Sequence, residues 1–180
     1  MEGDGPKAIF VSGTIAAGKT TVAEAAAGLL TVTDVPNAVI DLDWLCQAYP
    51  APADDPYHNR LAFENLAAVW PNYAARGIGR LVVARVVESR RWRDEAEASL
   101  PGVQVTVVRL TASLRTRRER IVRRELDPAW RDRFLVRTVE LDAILDAEDV
   151  AEVTIDNDGR APREVAADAL RKAGWLGAGG

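Results

Sequence analysis

The sequence predicts an α/β fold of three layers, a five-stranded parallel sheet with helices on both faces. Three observations predict it. Short continuous apolar runs, such as residues 8–12 and 81–87, read as strands buried on both sides. These runs alternate with helix-length periodic segments, the order that builds a parallel sheet. A glycine-bounded turn, residues 13–18, joins the first strand directly to the first helix.

The elements follow in order. After the strand at 8–12, an Ala-rich helix starts at Lys19 and runs to about Leu30. Residues 38–42 form the second strand, followed by a loop carrying Pro50, Pro52 and Pro56. Residues 59–76 have helical periodicity and stop at Gly77 and Gly79. The third strand is 81–87, and a helix over 88–100 is halted by Pro101-Gly102. The fourth strand is the β-branched run 103–110. Ser113 is placed to cap a helix reaching Leu126, Asp127-Pro128 breaks it, and residues 134–147 form the next helix. Residues 150–155 give the fifth strand, Asn157-Asp158-Gly159 a turn, and 162–173 the closing helix. The whole chain, 1–180, reads as one domain with a short lid at about 125–134.

Bulk properties narrow the function classes. A length of 180 residues, 48% hydrophobic and 28% charged, suits one globular domain with its own core. A net charge of -4 argues against a nucleic-acid-binding surface, although arginines between Arg109 and Arg137 make a local cationic wall. The single Cys46 excludes an intrachain disulfide, and with His58 the only histidine there is no zinc-ligand spacing. No apolar run approaches the roughly 20 residues that cross a bilayer, so no membrane association is expected. The start, residues 1–6, is acidic and Gly-rich rather than basic and then hydrophobic. That predicts no signal peptide and a cytoplasmic location.

The chemistry is concentrated in one loop. Gly13-Thr14-Ile15-Ala16-Ala17-Gly18-Lys19-Thr20 satisfies the phosphate-loop pattern G-x-x-x-x-G-K-[ST]. The two glycines let the backbone curl until successive N–H groups point at phosphate oxygens. The helix that follows, through Thr20 and Thr21, adds its positive N-terminal end. Lys19 is positioned to reach the β- and γ-phosphates of ATP, and the Thr20 hydroxyl to ligate Mg²⁺. Asp41 and Asp43 close the second strand, two residues apart and therefore expected on one face. Phosphoryl transfer needs Mg²⁺ held by oxygen ligands and a group to orient or deprotonate the acceptor. Asp41 is assigned to the metal shell and Asp43 to the acceptor; alternatively either one caps the helix beginning near Trp44.

With these pieces in place, the chain resembles the small P-loop kinases: shikimate, gluconate and adenylylsulfate kinases and the small antibiotic phosphotransferases. The resemblance rests on the loop at 13–20, Asp41-x-Asp43, the Arg-rich helix and lid after the fourth strand, and the turn Ile155-Asp156-Asn157-Asp158-Gly159-Arg160. It implies the P-loop NTPase fold, ATP and Mg²⁺ as cofactors, and transfer of the γ-phosphate to a small-molecule hydroxyl. By resemblance Asp41 organises Mg²⁺, Asp43 meets the attacking hydroxyl, Arg120 lies against adenine, and Asn157 passes near the adenine edge. Arg124, Arg131 or Arg133 would reach the phosphates from the lid. The chain departs from named members after the third strand. Adenylylsulfate kinases carry Ser-Pro-Tyr-Arg there and shikimate kinases Gly-Gly-Gly, whereas this chain has Ala84-Arg85-Val86-Val87-Glu88-Ser89. The group is implied, and no single acceptor is.

Arg85 and Glu88 stand at the carboxyl end of a central strand, where such sheets gather their binding residues. Arg85 either contacts the acceptor or pairs with Glu88 or an aspartate, because a buried charge needs a partner. His58 is either a substrate ligand or a structural histidine, and Trp44, Trp70 and Tyr73 either line a pocket or pack the core. Acceptors rank as a hydroxylated metabolite or antibiotic-like natural product, then adenylylsulfate, then a nucleoside or nucleotide, bound by a monomer or homodimer. The competing class is a nucleotide-dependent switch that hydrolyses ATP without an acceptor.

Overall fold

The computed structural model describes residues 5–177; the opening segment at 1–4, read above as acidic and Gly-rich, lies outside the described residues. The elements are β1 (Lys7–Gly13), α1 (Lys19–Val32), β2 (Asn37–Asp41), α2 (Leu42–Leu45), α3 (Asn59–Ala74) and β3 (Arg80–Ala84). They continue with α4 (Arg90–Ala98), β4 (Gln104–Thr111), α5 (Leu114–Arg124), α6 (Pro128–Glu148), β5 (Val153–Asp156) and α7 (Pro162–Lys172). All five strands are parallel, in the order β2-β3-β1-β4-β5.

β1 lies in the middle, and its residues Ala8 to Val11 are at most 1% exposed, as a strand covered on both faces requires. Side chains alternate across the sheet. Ala8 and Phe10 therefore join Leu81, Val83, Leu66 and Trp70 under α3 and α4. Ile9 and Val11 join Val82, Leu30 and Leu170 under α1 and α7. Burying a side chain such as Phe10 or Leu30 contributes about 1.5–3 kcal/mol relative to leaving it in water. The result is a three-layer α/β P-loop fold. No helix among the described residues is long and apolar enough to cross a membrane.

Four expectations are corrected by the structure. β3 ends at Ala84 rather than at residue 87, because the Val87 N–H donates to the Ser12 hydroxyl at 3.0 Å instead of continuing the ladder. β5 starts at Val153 rather than residue 150, and Val150 packs in the core instead. Asp43 is not on the end of β2 but on the first turn of the four-residue helix α2. Finally, α6 starts at Pro128 rather than residue 134. Asp127 caps it, accepting from the N–H of Ala129 at 2.8 Å and of Trp130 at 3.1 Å. Proline loses nothing at the first helical position, where its missing N–H has no partner anyway. The stretch expected as a lid, 125–134, is thus a short link, Glu125-Leu126-Asp127, leading into the first turns of a helix.

Candidate active site

The loop between β1 and α1 is curled by its backbone. Gly13 (φ +138°) and Gly18 (φ +103°) take values that side-chain-bearing residues rarely adopt. The first N–H groups of α1 receive no side-chain cap, so they remain free to meet an anion. The Lys19 ammonium folds back over the loop, its Nζ donating to the carbonyls of Gly13 (3.1 Å) and Thr14 (3.0 Å). Burial pulls the Lys19 pKa below the ordinary lysine value, and the nearby Asp43 carboxylate opposes that shift.

Two carboxylates are tied to this loop. The Thr20 hydroxyl donates to Asp41 Oδ2 at 2.6 Å, while Asp41 Oδ1 accepts from the Asp43 N–H at 2.9 Å. Asp41 therefore caps α2 and holds the loop threonine at the same time. Asp43 accepts at Oδ1 from Arg85 Nη1 at 2.5 Å. Arg85 is only 3% exposed, and its other bonds run to Cys46 Sγ (3.2 Å), the Tyr57 carbonyl (2.9 Å) and Asn59 Oδ1 (2.7 Å). A buried guanidinium is tolerated when its amino groups are so paired, and only the Arg85 Nε is left without a hydrogen-bond partner. Of the two alternatives for Arg85, pairing with an aspartate is the arrangement present, and both its amino groups face protein. Burial also pushes the Cys46 thiol pKa up, against the pull of Arg85.

Glu88 does not meet Arg85. It accepts from Arg137 Nη2 at 2.7 Å, and the Arg137 guanidinium lies 4.8 Å over the Tyr57 ring. His58 adopts a left-handed backbone at the start of α3, with Nε2 3.0 Å from the Ala48 carbonyl. It fastens the Pro-rich loop rather than projecting freely. Trp70 is core, and Tyr73 packs against the core, whereas Trp44, beside Asp43, is 72% exposed.

The arginine helix α5 divides by face. Arg117, 3% exposed, donates to Thr14 Oγ1 (3.1 Å), the Thr138 carbonyl (3.1 Å) and Asp142 Oδ2 (2.6 Å). Thr138 Oγ1 donates in turn to the Ile15 carbonyl at 3.0 Å. Arg120 donates to the Ala16 carbonyl at 3.1 Å and the Asn157 carbonyl at 3.2 Å, and Asn157 Nδ2 donates to the Ala17 carbonyl at 2.6 Å. The back of the phosphate loop is thus clamped from α5, α6 and the turn after β5. Arg124 lies close enough to Lys19 to help lower its pKa, after burial. Arg133 stacks 5.0 Å over Trp130. Arg117 entered the sequence reading only as one of the crowded arginines of its helix, and the roles of Thr138 and Arg137 escaped it. The buried stripe Thr138, Leu141 and Leu145 on α6 was their available signal, since Arg137 borders it.

No group of three or more His, Cys, Asp or Glu among the described residues forms a metal cage. The Thr20–Asp41 oxygen pair suits instead a Mg²⁺ ion carried by a nucleotide, which keeps several waters and needs few protein oxygens.

No protein-family model matches the chain, and no curated protein matches it. Solved structures do. A sugar kinase from Janibacter sp. HTCC2649 superposes with TM-score 0.66 at 19% identity, over 95% of this chain and 96% of that one. A gluconokinase from Sinorhizobium meliloti 1021 gives TM-score 0.62 at 25% identity, over 94% and 92%. The Deinococcus radiodurans tunicamycin resistance protein gives 0.60 at 20% identity, over 95% and 97%. These neighbours lie in the small P-loop kinase group, whose three-layer fold the chain shares.

Proposed function

We propose that this protein transfers the γ-phosphate of ATP to a hydroxyl of a small molecule. The observation that carries the reading is one chain of contacts: Thr20 to Asp41, Asp41 to the Asp43 N–H, and Asp43 to the buried Arg85. It ties a phosphate-binding loop to a fixed carboxylate two residues past a metal-suited oxygen pair. Mg²⁺, held by Thr20 and Asp41, would supply charge neutralisation on the phosphate oxygens. Backbone N–H groups between Thr14 and Thr21, apart from that of Ala17, which is spent on the Thr14 carbonyl, bind the polyphosphate, and Lys19 exchanges its two loop carbonyls for phosphate oxygens. Asp43 takes the acceptor's hydroxyl proton while that oxygen bonds to the γ-phosphorus. The bond from the γ-phosphorus to the β-γ bridging oxygen breaks, and ADP leaves. Arg124, Arg131 and Arg133 flank the short link before and at the start of α6, from where they close on the phosphates and exclude water.

The test is ADP release, measured with and without a panel of hydroxyl compounds. Acceptor-dependent release with a phosphorylated product is the expected outcome. Hydrolysis indifferent to every acceptor, with a protein partner captured only in the ATP state, would establish the switch instead. Lys19→Ala is expected to lower ATP turnover by about 10²–10³ or more, the scale of losing one preorganised charge-stabilising donor. Calorimetry with Mg–ATP should show weakened binding in the same variant. Retained wild-type turnover would remove the loop lysine from the reaction.

A further inference from the structure

Two arginines bracket the acceptor side of the cleft, and both are already matched by carboxylates. Arg85 gives its amino groups to Asp43, Cys46, the Tyr57 carbonyl and Asn59. Arg137 is held by Glu88 at 2.7 Å and by Glu140 at 3.3 Å, and one of its faces lies on Tyr57. The Arg137 and Glu88 side chains are 17% and 15% exposed, so this pair is shielded rather than a loose surface contact. Lys19 and Arg124 are cationic too, but they belong to the phosphate loop and the helix over it. An acceptor carrying its own anionic group near the attacked hydroxyl would have to displace Asp43 or Glu88 from these guanidiniums, or stand beside Asp41, whose bonds run only to the Thr20 hydroxyl and the Asp43 N–H. Like charges brought together in a partly desolvated cleft are strongly unfavourable.

Aromatic surface is exposed beside these pairs. Trp44 follows Asp43 directly and is 72% exposed, and Tyr57, over which Arg137 lies, is 50% exposed. Such rings accept the apolar face of a ring-bearing or alkyl molecule while a polar edge reaches a hydrogen-bonding group.

We infer that the acceptor is a hydroxyl compound without a carboxylate, sulfate or phosphate near the attacked hydroxyl, and that Glu88 enforces this by occupying Arg137. The inference rests on the phosphotransferase reading above and narrows its substrate class. Of the acceptors ranked from the sequence, it favours uncharged natural products and disfavours adenylylsulfate and nucleotides. Glu88 is a specificity-determining residue in this account, acting through Arg137 rather than on the reacting atoms.

The experiment uses matched pairs: hydroxy acids spanning polyol, alicyclic and aromatic frames, each as the free carboxylate and as its methyl ester. Binding is measured by calorimetry with the full-length protein and Mg–ADP, and turnover by ADP release with Mg–ATP. Wild type is expected to bind the ester at least about tenfold more tightly than the acid, a modest fraction of what like-charge juxtaposition costs. Glu88→Gln should narrow that ratio to within about threefold by strengthening the acid, since Arg137 then keeps only the longer, more exposed pairing with Glu140 and its Nη2 is freed for the acid. Adding Arg137→Gln to Glu88→Gln should restore the preference for the ester. Tighter binding of the acids by wild type, an unchanged ratio in Glu88→Gln, or no binding by any ester each overturns the proposal. If Glu88→Gln does not fold, the wild-type ratio still decides. Ester binding without acceptor-dependent ADP release sinks the phosphotransferase reading while leaving the charge preference standing.

Discussion

Asp43→Asn lowers kcat by about 10²–10⁴, the contribution expected of a positioned general base, while Mg–ADP binding changes little. The substitution is informative because of what it preserves. Asparagine keeps an oxygen at the Oδ1 position, so the 2.5 Å bond from Arg85 can still form, and the N–H of residue 43 still meets Asp41. It removes the carboxylate's charge and its capacity to take a proton. Arg85 then loses its only carboxylate partner among the described residues, so the melting temperature should also fall. Kinetics are therefore measured well below both transitions. The diagnostic result is a collapse in kcat, with acceptor KM and nucleotide affinity near wild type, the signature of an interaction made in the transition state. Transfer at the original rate would show that Asp43 is merely the counter-ion of Arg85.

The phosphate loop and the sheet were legible in the sequence because their causes are local. Four fixed residues flanked by an apolar run and a helix leave little freedom, and β1 reads as buried on both sides from composition alone. What the sequence hid depends on contacts between distant residues. Arg85 gathers partners from positions 43, 46, 57 and 59, which no periodicity brings together. Asp41-x-Asp43 looked like a strand end because a helix of four residues is too short to leave a periodic trace. Asp127-Pro128 carried two messages, a break and a beginning, and only the break was read. The arginine helix was partly decipherable. Ile121 is its fully buried apolar residue, and Arg117 and Arg120, four and one residues before it, share its inward face. Arg115 and Glu119 pair on the outside. Reading the helix from Ile121 outward, rather than counting arginines, finds the loop clamp.

Gly13→Ala is expected to be the most destructive single substitution for the fold and the nucleotide site together. A Cβ at Gly13 would stand 2.5 Å from the Leu110 carbonyl oxygen and 3.1 Å from Ala17 Cβ. Leu110 belongs to β4, paired with Gly13 in the sheet register, so the obstructing atom is backbone in a central ladder and not a side chain that can swing away. The φ of +138° adds strain of its own for any residue bearing a Cβ. Strain and overpacking cost about 1–3 kcal/mol each, so the variant should lose about 2–6 kcal/mol. That is a large share of the roughly 5–15 kcal/mol that holds a typical domain together, and it corresponds to a melting temperature lower by about 5–20 °C. Any relief must come from moving the loop off β4, which displaces the N–H groups aimed at phosphate and weakens Mg–ATP binding in the fraction that folds. Gly28→Ala is the matched control. Gly28 lies inside α1, exposed, with open space where its Cβ would go. There the same methyl group should stabilise by about 0.4–1 kcal/mol, because alanine restricts the unfolded chain and favours the helix. Calorimetric melting of the two variants side by side separates the site's steric demand from a general intolerance of alanine, and equal melting temperatures would show that the Gly13 backbone has slack the geometry does not allow.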